Sequence, residues 1–293
     1  MGLFNGYLKE GKGVSKEDVD KKGIALYLDI FARRIWKMMS INILYIVASI
    51  PAFVIAWLLS TFAVLWAISF SEISFTETEI ITGINLVALL CTVVVVQICG
   101  SGPATAGMTY VLRKYVTDKH SWVWSDFFEH FKKNFRQGIC IYLINVVVSC
   151  LLLVSFLFYS HIMGGMASQF LRAAIVVFLA IFCTMQLYTY QMIVCVEIKV
   201  RDAYRNAMLL TFAKLPWNVL TMAVTYIIMH ICFKLFMSVP IAGIVLFLVL
   251  YYSFISFTQI FMTNNIINKY ILVPATQKEA SKDESSESIS SED

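Results

Sequence analysis

The chain has 293 residues, of which 59% are hydrophobic and only 14% charged, with a net charge of +4 at pH 7. Soluble domains carry roughly a quarter charged residues, so this composition excludes an ordinary soluble protein. Nucleic-acid binding, which needs a folded basic surface, is excluded with it.

Along the chain, the residues before Met38 are mostly polar and lack the pattern of a cleaved leader, so the first apolar segment is expected to stay in the mature protein. Leu28, Phe31, Ile35 and Met38 recur at helical spacing opposite Arg33, Arg34 and Lys37, which predicts an amphipathic interfacial helix at about 26–38. Asp, Glu, Lys and Arg are then absent from Met38 to Ser71. A hydrocarbon core of ~30 Å needs about 20 apolar residues, so a first span is predicted at about 39–68. The loop after it carries Glu72, Glu77 and Glu79 and reads as a solvated outer loop.

The next uncharged stretch, Ile80 to Leu112, gives a span at about 81–101 that ends in the run Gly100-Ser101-Gly102-Pro103-Ala104-Thr105-Ala106-Gly107. Pro103 lacks an N–H and disfavours helix at Gly102, so the helix is expected to break here and restart at Pro103. The restarted helix would carry Tyr110 and Arg113 into the cytoplasm. Its N-terminus is either packing at a kink or a backbone site for an anion. Trp124, Phe127, Phe128, Phe131 and Phe135 then form an aromatic stripe opposed by Glu129, Lys132, Lys133 and Arg136. They predict a second interfacial helix at about 122–136, begun by a capping-box-like Asp126/Glu129 pair and ended at Gly138.

Gln137 to Leu171 and Ala173 to Val196 are the third and fourth uncharged stretches, with spans at about 139–160 and 173–195 joined around Gly164 and Gly165. Met208, Leu209, Phe212 and Leu215 with Asp202, Arg205 and Lys214 predict a third interfacial helix at about 202–215. Leu215 to Phe233 and Leu235 to Asn268 supply spans at about 217–235 and 241–262, turning at Pro240. Residues 276–293 set two lysines against six carboxylates among serines and read as a disordered acidic tail.

The predicted architecture is therefore an all-α integral membrane protein over residues 1–275. Six transmembrane helices form three hairpins, each preceded by a cytoplasmic amphipathic interfacial helix. Of the 23 Lys and Arg, only Arg172 and Lys234 fall on the other side, which places both termini in the cytoplasm. The seven cysteines lie in apolar runs without a CxxC pair and read as small buried hydrophobes.

No Asp, Glu, Lys or Arg is expected deep in a span, which argues against an ion-coupled carrier. Gln97, Asn145, Gln186, Gln191 and His230 are the candidate intramembrane polar path, with Gln259 a further buried amide. Interhelical hydrogen bonding is the plainer account of each. On the cytoplasmic side, Gly102, Pro103, Thr105, Gly107, Trp122, Trp124, Phe127, Phe128 and Phe131 make the candidate partner-docking or helix-break surface. Asp126 and His130, with His120 upstream, have metal-ligand spacing, but such pairs are common on solvated helix faces and no metal site or cofactor is assigned. No catalytic triad, phosphate-cradling loop or HExxH is present, so no enzyme is predicted.

Gly102-Pro103-Ala104-Thr105-Ala106-Gly107, Tyr110-Val111-Leu112-Arg113, Trp124-Ser125-Asp126-Phe127-Phe128 and Phe131-Lys132-Lys133-Asn134 resemble the signature of the bacterial YesL family. The start Tyr7-Leu8-Lys9-Glu10-Gly11-Lys12-Gly13-Val14-Ser15-Lys16, and Trp36-Lys37 and Asn42 ahead of Tyr45, are similar as well, with Lys12 where the family usually has proline. The likeness is strongest over residues 1–138. It implies a multi-pass protein of the bacterial cell membrane, often encoded near sugar ABC importers, with no known catalysis and no assigned residues. The expected function is a non-enzymatic accessory or scaffold of a carbohydrate ABC import system, its partners the bilayer and the permease subunits. The alternative is a stand-alone transporter or channel for a neutral solute.

Overall fold

The structure is a computed structural model that describes residues 23–69, 77–161, 165–196 and 198–274. The acidic tail and Glu72 lie outside the described residues, as do the side chains of Glu77 and Glu79. The described chain is helical, with no strand among those residues. Its helices are α1 (Ile24–Ala48), α2 (Ile50–Ser69), α3 (Glu77–Cys99), α4 (Pro103–Val116), α5 (Val123–Lys133), α6 (Phe135–His161), α7 (Gly165–Cys195), α8 (Val200–Ala213) and α9 (Leu215–Ser238). Last comes α10 (Pro240–Leu272), with π-helical turns at Phe247–Tyr251 and Asn268–Leu272.

By length and composition, α6, α7, α9 and α10 can each cross a membrane, and the bent pairs α1–α2 and α3–α4 raise the number to six. Contacts divide the chain after Ile35. Within the first unit Arg33 pairs with Asp29 at 2.8 Å and Tyr27 stacks on Phe31.

The first span differs from expectation. The helix that begins at Ile24 runs unbroken past Met38 to Ala48, and the chain bends by 62° at Ser49 instead of separating near residue 38. Pro51 is the cause. It has no N–H to return to the carbonyl of Val47, and its ring disfavours helix in the residue before it. Proline then fits the first turn of α2.

The second break falls where the glycine–proline run predicts it. α3 stops at Cys99, Gly100 and Gly102 adopt φ of 71° and 68°, and α4 restarts at Pro103, again with a 62° bend. The two bends meet: Ser49 Oγ donates to Ser101 Oγ at 2.7 Å.

α4 does not stand free of the helices around it. It packs against α5, α6, α7 and α10, and eleven of its fourteen residues are buried, Arg113 among them. Two glycines let neighbours close in. A Cβ on Gly138 would stand 2.7 Å from Pro103 N, and one on Gly107 would stand 2.7 Å from the Phe127 carbonyl oxygen. Gly138 therefore does not end the aromatic helix. It lies inside α6 and seats that helix on the α3–α4 break.

Three asparagines absorb the backbone groups that breaks and π turns release. Asn42 Nδ2 donates to the carbonyls of Phe247 and Leu248 at the first π turn, and Asn42 Oδ1 accepts from Ser253 N. Asn145 Nδ2 donates to the Cys99 carbonyl at 2.8 Å. Asn218 Nδ2 donates to the carbonyls of Leu210 and Thr211 at the end of α8, and Asn218 Oδ1 accepts from the Tyr188 hydroxyl. In an apolar surround such carbonyls would otherwise go unpaired, at about 1–3 kcal/mol each.

The close approach at Gly138 sets a test. Gly138→Ala should destabilise the purified protein by about 1–3 kcal/mol, because backbone must move. Gly83→Ala, also inside a helix but with nothing within 4 Å of the added carbon, should raise stability by about 0.5–1 kcal/mol, because glycine is the poorer helix former. Thermal unfolding in detergent compares the two; equal behaviour would contradict the packing at Gly138.

Candidate functional site

Between these helices lies a cavity of about 950 Å³, lined by α1, α2, α3, α4, α7, α9 and α10. Its floor includes Gly100, Thr105, Met108 and Thr109 at the α3–α4 break, beside Gln186, Tyr190 and Gln191 of α7. The Tyr190 ring covers Gly100, where a Cβ would stand 2.8 Å from it, and its hydroxyl donates to the Cys99 carbonyl at 3.2 Å. Ile50, Val54, Leu89 and Val94 form one edge and Tyr226, Phe233, Ile244 and Leu248 the other. These eight are 41–68% exposed, so the edges continue onto the apolar outer faces of the helices.

Among the described residues, no Asp, Glu, Lys or Arg lines the cavity. Gln97, Gln186, Gln191 and His230 of the predicted polar path all reach it, and so does Gln259. Asn145 does not. It stands behind the wall, donating to Cys99 and to Gln186 Oε1 and accepting from the Tyr204 hydroxyl at 2.6 Å. Gln191 Nε2 is held by Thr263 Oγ1 and the Leu187 carbonyl. Gln97 Oε1, Gln186 Nε2 and Gln191 Oε1 are buried without a hydrogen-bond partner. His230 stacks on Tyr226 at 6.0 Å.

The docking-surface residues separate into two groups. Gly102, Pro103, Gly107 and Phe127 are buried, while Thr105 is half-buried, accepts from Ser101 N at 2.7 Å and faces the cavity. Only Trp122, Trp124 and Phe128 are exposed, with Phe131 half-buried. The α4 N-terminus is covered by α6 at Gly138, which leaves no room there for an anion.

Asp126 does not cap α5 through a pair with Glu129. It sits one turn inside the helix, and its Oδ2 accepts from Ser121 Oγ at 2.6 Å, Lys114 Nζ at 3.0 Å and Trp122 N at 3.0 Å. Burial alone would raise its pKa. The Ser121 and Lys114 hydrogen bonds and the Lys114 charge outweigh burial and hold the carboxyl below its ordinary range. His130 stacks on Tyr110 at 3.3 Å, and burial lowers its pKa. Among the described residues no three His, Cys, Asp or Glu gather as metal ligands.

Both shifts have the same sign for stability. Each group's pKa is lower folded than unfolded, so its contribution is full above the unfolded value and is lost as pH falls through the folded one. Hydrogen-exchange protection across residues 121–134, corrected for the intrinsic slowing of exchange in acid, should therefore fall first as pH drops from about 6.5 through the lowered His130 value. It should fall again as pH drops from about 4 through the lowered Asp126 value. His130→Phe should remove the first step alone; one step at the same pH in both proteins would refute the assignment.

Residues 81–156 match the model of a family described as "Protein of unknown function, DUF624", a segment that holds the α3–α4 break, α4, α5 and most of α6. No curated protein and no solved structure matches the chain.

Proposed function

We propose that this chain is a non-enzymatic multi-pass protein of the bacterial cell membrane, termini cytoplasmic, that carries an uncharged, largely apolar molecule through its central cavity. The observation that carries the reading is the set of three unpartnered glutamine atoms, Gln97 Oε1, Gln186 Nε2 and Gln191 Oε1, on residues lining a cavity of about 950 Å³. That volume suits a drug-sized molecule, and ligand sites combine apolar walls with a few polar groups that orient the guest. A guest offering a donor and an acceptor would meet glutamine side chains set in an otherwise apolar wall. The uncharged lining supports a neutral guest and speaks against ion coupling.

Native mass spectrometry of the protein gently released from its own membranes is the test. Wild type should retain a neutral small molecule. Ser256→Trp, which fills the cavity, should abolish retention, and Gln191→Leu should weaken it by about tenfold, equal to about 1.4 kcal/mol. An empty wild type, or an adduct untouched by Ser256→Trp, would refute the proposal.

The exposed indoles of Trp122 and Trp124 beside Phe128 support a second reading. Here α5 docks a membrane partner, in keeping with the YesL resemblance and an accessory role beside a carbohydrate ABC importer. A photocrosslinker at Trp124 should capture a permease subunit in native membranes; labelling of lipid alone would leave α5 as an anchor.

A further inference from the structure

A second pocket, of about 360 Å³, lies between the start of α9 and the end of α10, away from the central cavity. Lys214, Trp217, Asn265, Lys269 and Tyr270 are among its walls. Two cations converge on one ring: Lys214 Nζ lies 4.7 Å and Lys269 Nζ 5.8 Å from the centre of Tyr270. Neither ammonium is paired with a carboxylate among the described residues. The negative ring face and the Tyr270 hydroxyl, hydrogen-bonded to Lys214, draw both cations to one place at the surface, where a shared anion would bridge them.

The surroundings add to the positive field. Lys214 stands at the junction of α8 and α9, ending one helix and preceding the other, so the partial charges of the two helix ends oppose each other there and the ammonium itself supplies the positive charge. Arg113 donates from Nη2 to Asn268 Oδ1 at 3.1 Å, next in sequence to Lys269. It is buried, its Nη1 has no partner, and no carboxylate among the described residues neutralises it.

The walls are amphipathic as well. The Trp217 indole N–H donates to the Met262 carbonyl at 2.7 Å, which ties α9 to α10 and fixes the ring as a side wall. Trp217 and Tyr270 are both close to half exposed. Tryptophan and tyrosine favour the level of lipid headgroups, and basic pockets between helices at that level take phosphate-bearing heads.

We propose that Lys214, Lys269, Trp217 and Tyr270 form a binding site for an anionic phosphate group, with the two ammoniums on the phosphate oxygens and the rings beside it. The source is either the phosphodiester head of an anionic glycerophospholipid or free phosphate. This site is independent of the central cavity and stands or falls separately from the carrier reading.

Thermal unfolding of the full chain in delipidating detergent separates the possibilities. Phosphatidylglycerol in mixed micelles should raise the unfolding temperature by several degrees, and phosphatidylcholine with the same chains should not. The Lys214→Gln/Lys269→Gln double variant should weaken the phosphatidylglycerol effect at least tenfold. Lys214→Arg/Lys269→Arg should keep it, which separates lost charge from a folding defect, and Lys234→Gln controls for net charge. Inorganic phosphate that reproduces the shift identifies the free ion as occupant; a lipid-only shift identifies the headgroup. Equal response to both lipids, no response to either anion, or full response in the double glutamine variant would overturn the site.

Discussion

The fold depends on one requirement: the carbonyls and amides freed where α3 stops and α4 begins must be paired inside an apolar bundle. Helix breaks among lipid-exposed helices survive only where protein covers and satisfies them. Here the Cys99 carbonyl receives Asn145 from α6 and Tyr190 from α7, and the Ser101 amide is taken by Thr105. Ser49, at the other bend, closes the group through Ser101. Side chains of α4, α6, α7 and the Ser49 bend thus converge on Cys99 and Ser101. The glycines at 100, 102 and 138 supply the left-handed backbone and the clearance that this convergence needs.

The same requirement sorts the buried amides by role. Asn42, Asn145 and Asn218 all spend their amide nitrogens on carbonyls that helix geometry had released, and their exchange for apolar residues would orphan backbone. Gln97, Gln186 and Gln191 differ. Each keeps a polar atom unpaired on a residue that borders open volume. The asparagines serve architecture, and the glutamines are among the few polar groups of an otherwise apolar cavity wall. Composition alone gives all six the same appearance.

Much of the architecture was legible because charge-free length and proline are local signals. The break at Pro103 follows from ring geometry. Pro51 was an equal signal for the bend at Ser49, masked by the uniform hydropathy of Met38–Ser71, and reading it would have divided the first span. Gly138 was beyond local reading, because its role is set by Pro103 thirty-five positions earlier. Phe127 and Phe128 are adjacent in an aromatic stripe, yet one is buried under α4 and the other exposed, a distinction that arises only from the α4–α5 packing. The Tyr270 cluster went unread for the same reason: Lys214 and Lys269 lie on different helices, and pattern within either helix reveals nothing of their meeting.

The two bends also account for the position of the cavity. A straight α3 continuing past Cys99 would fill the space that Gly100, Thr105 and Thr109 now border, and an unbent α1 would carry Ile50 and Phe53 elsewhere. Breaking both helices at one level turns their second halves aside and leaves a volume whose floor is the hydrogen-bonded break itself. Floor and edges therefore differ in stiffness. The floor is tied by side chains from several helices, whereas the edges are apolar contacts of α2, α3, α9 and α10. Those contacts lack direction and can be exchanged for contacts with lipid or guest at little difference in energy. The edges are therefore the more yielding part of the cavity, and the floor, where Gln186 and Gln191 are tied by hydrogen bonds, is the part held in place.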